Sequence, residues 1–182
     1  MCGFPIMNGS IFHSAKLFII GILSLPGLAF ADINGYIGAG VGQATLHLDN
    51  KADQKAIGNK VFIGADLLNI LGIEYSQINL GKYLDDTVEI GGTALYGVAR
   101  FSFQTGITVM ARYGLFDWEI KYTTANSSSS GQDRTHGIGV AYQLMAGFSA
   151  RIDYDIFRNV GETDTFSGNE MSLVSAGISF HF

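Results

Sequence analysis

An all-β fold, a single eight-stranded antiparallel up-and-down transmembrane β-barrel, is predicted by three observations. Segments whose apolar residues recur with a period of two follow one another at a regular pace. The connections between them alternate between short and long. The final segment, EMSLVSAGISFHF from Glu170, keeps the same period up to a terminal phenylalanine, with Val174, Ala176, Ile178, Phe180 and Phe182 on one parity and Ser175, Gly177, Ser179 and His181 on the other. A strand with one apolar face suits lipid, and its backbone groups must be paired. In a closed barrel the partner of the last strand is the first.

Residues 1–31 read as a cleaved signal peptide. Lys16 precedes the uncharged stretch LFIIGILSLPGLAF, and Ala29, Phe30 and Ala31 supply the small-x-small pattern of a cleavage site before Asp32. The stretch is short for a membrane helix of about 20 residues, and Pro26 and Gly27 interrupt it. Met7 offers an alternative start with a better n-region. Removing this leader leaves residues 32–182 as one outer-membrane barrel domain with no proline and no cysteine, which favours paired strands and excludes disulfide and thiolate chemistry. That part carries ten cationic and sixteen anionic side chains, and an acidic chain without a basic stripe argues against nucleic acid.

The strands fall in order. The first is expected over Gly35–Leu48, glycine-rich, followed by Asn59–Leu68, Leu71–Gly81 and Thr93–Phe103. Ile107–Tyr122, Thr135–Leu144, Phe148–Phe157 and Met171–Phe182 complete the set. Short turns at Asn69-Ile70, Gln104-Thr105-Gly106 and Met145-Ala146-Gly147 alternate with four long polar segments, which begin at Asp49, Lys82, Thr123 and Arg158. Short turns at one rim and long loops at the other are expected of an outer-membrane barrel. A weak repeat supports this: TGITVMARYG from Thr105 matches AGFSARIDYD from Ala146, and LGIEY ending at Tyr75 resembles both. Tyr75, Tyr113 and Tyr154 then share the outer face.

The face assignment follows from charge. On strand seven Phe148, Ala150, Ile152, Tyr154 and Ile156 oppose Ser149, Arg151, Asp153 and Asp155. Strand six places Ile138, Val140, Tyr142 and Leu144 outside, and strand five does so for Ile107, Val109, Ala111, Tyr113 and Leu115. An arginine on the lipid face at the midplane costs roughly 2–4 kcal/mol, so the charges point inward. Asp66, Glu74, Arg100, Arg112, Arg151 and Asp153 are therefore expected to form an ion-pair network in the lumen, which either only holds the barrel closed or gates a narrow ion path. Two stretches break the pattern. After Tyr75 the apolar set moves to Ile78 and Leu80, which calls for a bulge or an early exit from the membrane. Past Leu115 it moves to Phe116, Trp118 and Ile120, a stretch placed above the bilayer. GYIGAGVG from Gly35 lacks the spacing and following helix of a dinucleotide loop, and its glycines are read as room for large inward side chains.

With these features in hand, the chain resembles the small eight-stranded outer-membrane barrels: the OmpA-type transmembrane domain and its opacity-type and Ail-type relatives, often labelled a porin family. The resemblance spans the whole part after the leader and rests on that leader, the eight-strand alternation and the ISFHF terminus. It implies a Gram-negative outer-membrane location and delivery to the barrel-assembly machinery, with Ile178, Phe180 and Phe182 as the assembly signal. Outer-membrane lipid and lipopolysaccharide are implied as surroundings, and the Ail-type branch suggests an adhesive ligand on the loops. The anchoring role of longer OmpA-type proteins does not carry over to a chain ending at Phe182.

An eight-stranded interior is about filled by side chains, so no wide pore is expected. The first functional reading is a non-enzymatic, monomeric surface or structural protein without a cofactor. A second is a lipid-modifying enzyme, with His136, a serine of Ser127–Ser130, and Asp133 or Glu119 as the reacting groups. The serine run itself reads as a loop. The histidines lack metal-ligand spacing, and Asp85, Asp86, Glu89, Glu162 and Asp164 are open to Ca²⁺ or to plain solvation. A soluble lipocalin-like barrel is the alternative fold, and it requires Val140, Ile152 and Ile178 to face inward.

Overall fold

Extended, period-two sequence with no proline leaves the backbone nothing to do but pair, and it pairs completely around a ring. A computed structural model describes residues 34–47, 53–68, 70–83, 87–122, 127–161 and 170–182. The leader, the loop carboxylates Asp85, Asp86, Glu162 and Asp164, and Leu48 lie outside the described residues. The strands are β1 (Asn34–His47), β2 (Gln54–Leu68), β3 (Leu71–Tyr83), β4 (Val88–Ser102), β5 (Ile107–Tyr122), β6 (Ser127–Met145), β7 (Phe148–Phe157) and β8 (Glu170–His181). All neighbours are antiparallel, and β8 closes on β1 with Tyr36 opposite His181 and His47 opposite Glu170. Gly35 and Phe182 complete that seam by exchanging backbone hydrogen bonds of 3.0 and 2.9 Å.

One rim carries the short turns and the start of β1 beside the end of β8; the other carries the longer connections. At the first rim, Gly106 and Gly147 sit at φ of 80° and 79°, a left-handed conformation that a side chain disfavours, which is why both turns end in glycine. The same rim bears an outward belt of rings, with Phe101 4.8 Å from Phe103 and Phe148 4.8 Å from Phe180. Aromatic girdles of this kind mark the membrane interface of such barrels. Ile178, Phe180 and Phe182 all point outward there.

The apolar face of the lower wall is outside: Val140, Ile152 and Ile178 are 47, 62 and 59% exposed, while Arg151 and Asp153 are 3 and 2% exposed. This overturns the lipocalin-like alternative, because a soluble barrel would have to wet that entire apolar wall. Tyr75, Tyr113 and Tyr154 face outward as well. Ile152→Arg, in mid-strand on this face, is expected to lower folding stability by roughly 2–4 kcal/mol in lipid vesicles, measured by denaturant titration.

Toward the other rim the pattern inverts. Ile78, Leu80, Phe116, Trp118 and Ile120 are buried inside, and Gln77, Asp117, Glu119 and Lys121 lie outside. The alternation of β3 is unbroken through Ile78, so what changes there is the chemistry of the two faces; the irregularity comes later, between Asn79 and Gly81. Three strands consequently begin earlier than the alternation of lipid-facing residues suggests. β2 starts at Gln54 instead of Asn59, β4 at Val88 instead of Thr93, and β6 at Ser127 instead of Thr135. The serine run is therefore strand, with Ser127–Ser130 paired to Tyr122–Glu119 of β5. The supposed long loops are correspondingly shorter: β1–β2 is joined by 48–53, β3–β4 by 84–87 and β5–β6 by 123–126, and only 158–169 keeps its expected length.

Candidate functional site: the lumen

Inward positions of four strands, β2, β3, β5 and β7, bring opposite charges to one level. Glu74 of β3 receives Arg151 Nη1 at 2.7 Å and Arg112 Nη1 at 3.1 Å, together with the Tyr36 hydroxyl at 3.1 Å and the Ser76 hydroxyl at 3.3 Å. Asp153 of β7 takes Arg151 Nε at 2.8 Å, Lys60 Nζ at 2.8 Å and Arg112 Nη2 at 2.9 Å. Asp155 takes Lys60 and Arg112, each at 2.8 Å. Three carboxylates thus meet three cations, and each of these side chains is at most 3% exposed. Balance matters more than count here. An unpaired charge at such a depth costs several kcal/mol, whereas a paired set roughly repays its own desolvation and fixes register. Aromatic faces complete the shell, with the Arg151 guanidinium 4.3 Å from the Phe62 ring and that of Arg112 5.5 Å from the Tyr96 ring.

Of the six residues expected in one network, Glu74, Arg112, Arg151 and Asp153 come together. Asp66 and Arg100 form a separate pair nearer the short-turn rim, at 3.1 and 3.3 Å, joined to the rest through Tyr36, over whose ring Arg100 lies at 4.2 Å. Two members went unassigned to the set: Lys60 and Asp155. Both are legible by parity, Lys60 with Asp66 on β2 and Asp155 with Arg151 and Asp153 on β7. Glycines make the space: a Cβ at Gly139 would collide with the Asp153 carboxylate, one at Gly64 with the Tyr36 ring and one at Gly38 with the Phe62 ring.

On either side of this layer the interior differs. Toward the short-turn rim lies a polar cavity of about 280 Å³, lined among others by Arg100, Ser102, Thr108, Ser149 and His181. Toward the other rim side chains pack as in a soluble protein core. Phe116 and Phe157 sit 4.6 Å apart among the buried Met171, Leu173, Ile78 and Leu80. Trp118 Nε1 donates to Asp133 at 2.8 Å, and the Tyr83 hydroxyl donates to the Leu80 carbonyl at 2.9 Å, its acidity pushed down by burial.

The candidate catalytic groups are not assembled. His136 faces outward at the level of Tyr113, and Ser130 lies six residues further along the same strand, roughly 20 Å away at strand spacing. Asp133 points inward to Trp118, and Glu119 points outward beside Lys121 at 3.5 Å.

The family model of the OmpA-like transmembrane domain matches residues 31–182. The chain belongs to this family. Its location is the Gram-negative outer membrane. This OmpA-like barrel is 27% identical over 165 residues to Outer membrane protein A of Serratia marcescens, covering 82% of the chain but only 44% of that longer protein. Among solved structures it is similar to Neisserial surface protein A (TM-score 0.63, 17% identity, 81% of this chain and 97% of that one). It is also similar to Ail, the attachment invasion locus protein of Yersinia pestis (TM-score 0.60, 13% identity, 83% and 99%), which has been crystallised with the heparin analogue sucrose octasulfate as well. At these identities the structures speak to fold alone.

Proposed function

We propose that this OmpA-like barrel is a non-enzymatic outer-membrane protein with a plugged lumen, acting as a structural element and through the loops and strand extensions of its outer rim. The observation that carries this reading is the stacking of two unlike layers across the interior: a charge-balanced ionic layer, then a layer of buried apolar side chains. An ion crossing the first would have to be stripped of water to cross the second, which a hydrophobic constriction resists. The scattered positions of His136, Asp133 and Glu119 support the absence of acyl-transfer chemistry.

Arg112→Ala and Arg151→Ala barrels in planar bilayers are the test. No change in conductance is expected for either, because Phe116, Phe157 and Met171 remain above the gap. Discrete channel openings in either variant would replace the plug with a gated ion path.

The outer rim sets the partner's charge. The four cations and four anions of the lumen ion pairs cancel, so the excess of sixteen acids over ten bases after residue 31 belongs to the rest of the barrel, with only Asp133 among the described residues also turned inward. A sulfated polyanion such as the one seen with Ail is therefore a poor ligand here, and an extracellular partner that is neutral or basic is favoured. Ile178, Phe180 and Phe182, outward on the closing strand, are the residues offered to the barrel-assembly machinery. The barrel works as a monomer, surrounded by lipid and lipopolysaccharide.

A further inference from the structure

The outer wall formed by β2 to β5 changes character over two rows of cross-strand neighbours. Ile63, Tyr75, Leu95 and Leu115 stand side by side, all apolar and 46 to 58% exposed. One row further from the short-turn rim stand Val61, Gln77, Thr93 and Asp117, and the row after that is Asn59, Asn79, Gly91 and Glu119. Rows on one face are about 7 Å apart, so the wall passes from hydrocarbon-like to fully polar within the depth of a lipid headgroup region. At that level the wall is hollow. A groove of about 530 Å³ opens there, where Gly91 has no side chain between Asn79 and Glu119.

We propose that this groove seats the saccharide headgroup of an outer-leaflet glycolipid whose acyl chains lie along the apolar row below. The assignment rests on the outward orientation of the loop rim proposed above. Three carboxamides, Asn59, Gln77 and Asn79, and the Thr93 hydroxyl each both donate and accept, which matches the alternating donors and acceptors of sugar hydroxyls. The charged lining is Glu89 and Glu119 against Lys121. Its net negative sign selects the hydroxyl-rich part of the headgroup and leaves its phosphates pointing away. Asn79 is already oriented, its amide donating to Glu89 at 3.2 Å and its carbonyl accepting from Gly81 at 2.7 Å. Among the described residues Gln77 and Thr93 have no such side-chain partner, and they face the groove from adjacent strands.

The test places the barrel in nanodiscs of phosphatidylethanolamine and phosphatidylglycerol, with or without lipopolysaccharide, and follows the side-chain amide NMR signals of Asn59, Gln77 and Asn79. These signals are expected to move only with lipopolysaccharide, and the apparent affinity is expected to fall about tenfold in Gln77→Leu/Thr93→Val, which removes two hydrogen-bonding groups. Both positions are on the outer wall, and heat-modifiable migration on SDS gels checks that the variant barrel is folded. Unmoved amide signals, or equal affinity in the double variant, would overturn the proposal. So would loss of the response on chelating divalent cations with the groove intact, which would assign binding to cation bridges, or an equal response to soluble core oligosaccharide, which would remove the lipid from the assignment. None of these outcomes bears on lumen conductance, so the seat and the plug stand or fall separately.

Discussion

Glu74→Ala is expected to lower folding stability by about 3–5 kcal/mol, measured by guanidinium titration in phospholipid vesicles. The carboxylate is fully buried and joins Arg112, Arg151, Tyr36 and Ser76. Without it the layer holds three cations against two anions at a depth where neither water nor another acid replaces the lost partner. Glu74→Gln separates the two contributions, since the amide keeps the volume and an acceptor for the Tyr36 hydroxyl but not the charge. Most of the loss should persist in Glu74→Gln, because charge imbalance is the dominant penalty. Combining Glu74→Ala with Arg151→Ala restores two against two, and the double variant is expected to be less destabilised than the sum of the singles. Strict additivity, or a Glu74→Ala cost below about 1 kcal/mol, would mean that water enters and solvates the layer, and the dry ionic layer would have to be abandoned.

Where outward residues face lipid, the fold was legible almost to the residue. β5 and β7 run over Ile107–Tyr122 and Phe148–Phe157 as their alternation indicates, and Arg112, Arg151 and Asp153 point inward as their parity requires. Legibility ended where the medium changed. Beyond Asn59, Thr93 and Thr135 the outer face becomes mostly polar, with Ile57 the exposed exception on β2, so an apolar-outside pattern no longer marks a strand, although hydrogen bonding to the neighbour continues. The same boundary hid Lys60. It sits next to the point where Asn59 interrupts the apolar outer row, and a lysine there reads as the fringe of a loop until its parity with Asp66 is used. The serine run misled for a related reason: serine favours turns, and it is the ladder of β5 that holds Ser127–Ser130 extended. That Asp66 and Arg100 form their own pair was not recoverable from parity, which fixes the face of a residue but not its height in a tilted barrel.

Above the ionic layer the expected sensitivities are reversed. Phe116→Ala is expected to cost about 3–5 kcal/mol, since the ring is completely buried against Phe157 and its removal leaves a cavity that the stiff barrel wall cannot close. The next residue on the same strand, Asp117, projects outward and accepts a hydrogen bond from the exposed Gln132 at 2.6 Å, so Asp117→Ala should stay within about 0.5 kcal/mol. Four residues below, the order of polar and apolar is the opposite: there the arginine, Arg112, is the buried member and the tyrosine, Tyr113, the exposed one. A single strand therefore carries both rules, apolar outside where it meets lipid and apolar inside where it meets water. Denaturant titration of Phe116→Ala and Asp117→Ala side by side decides whether this holds. A small effect at Phe116 with a large one at Asp117 would mean that lipid reaches this height, and the plug proposed above would lose its apolar layer.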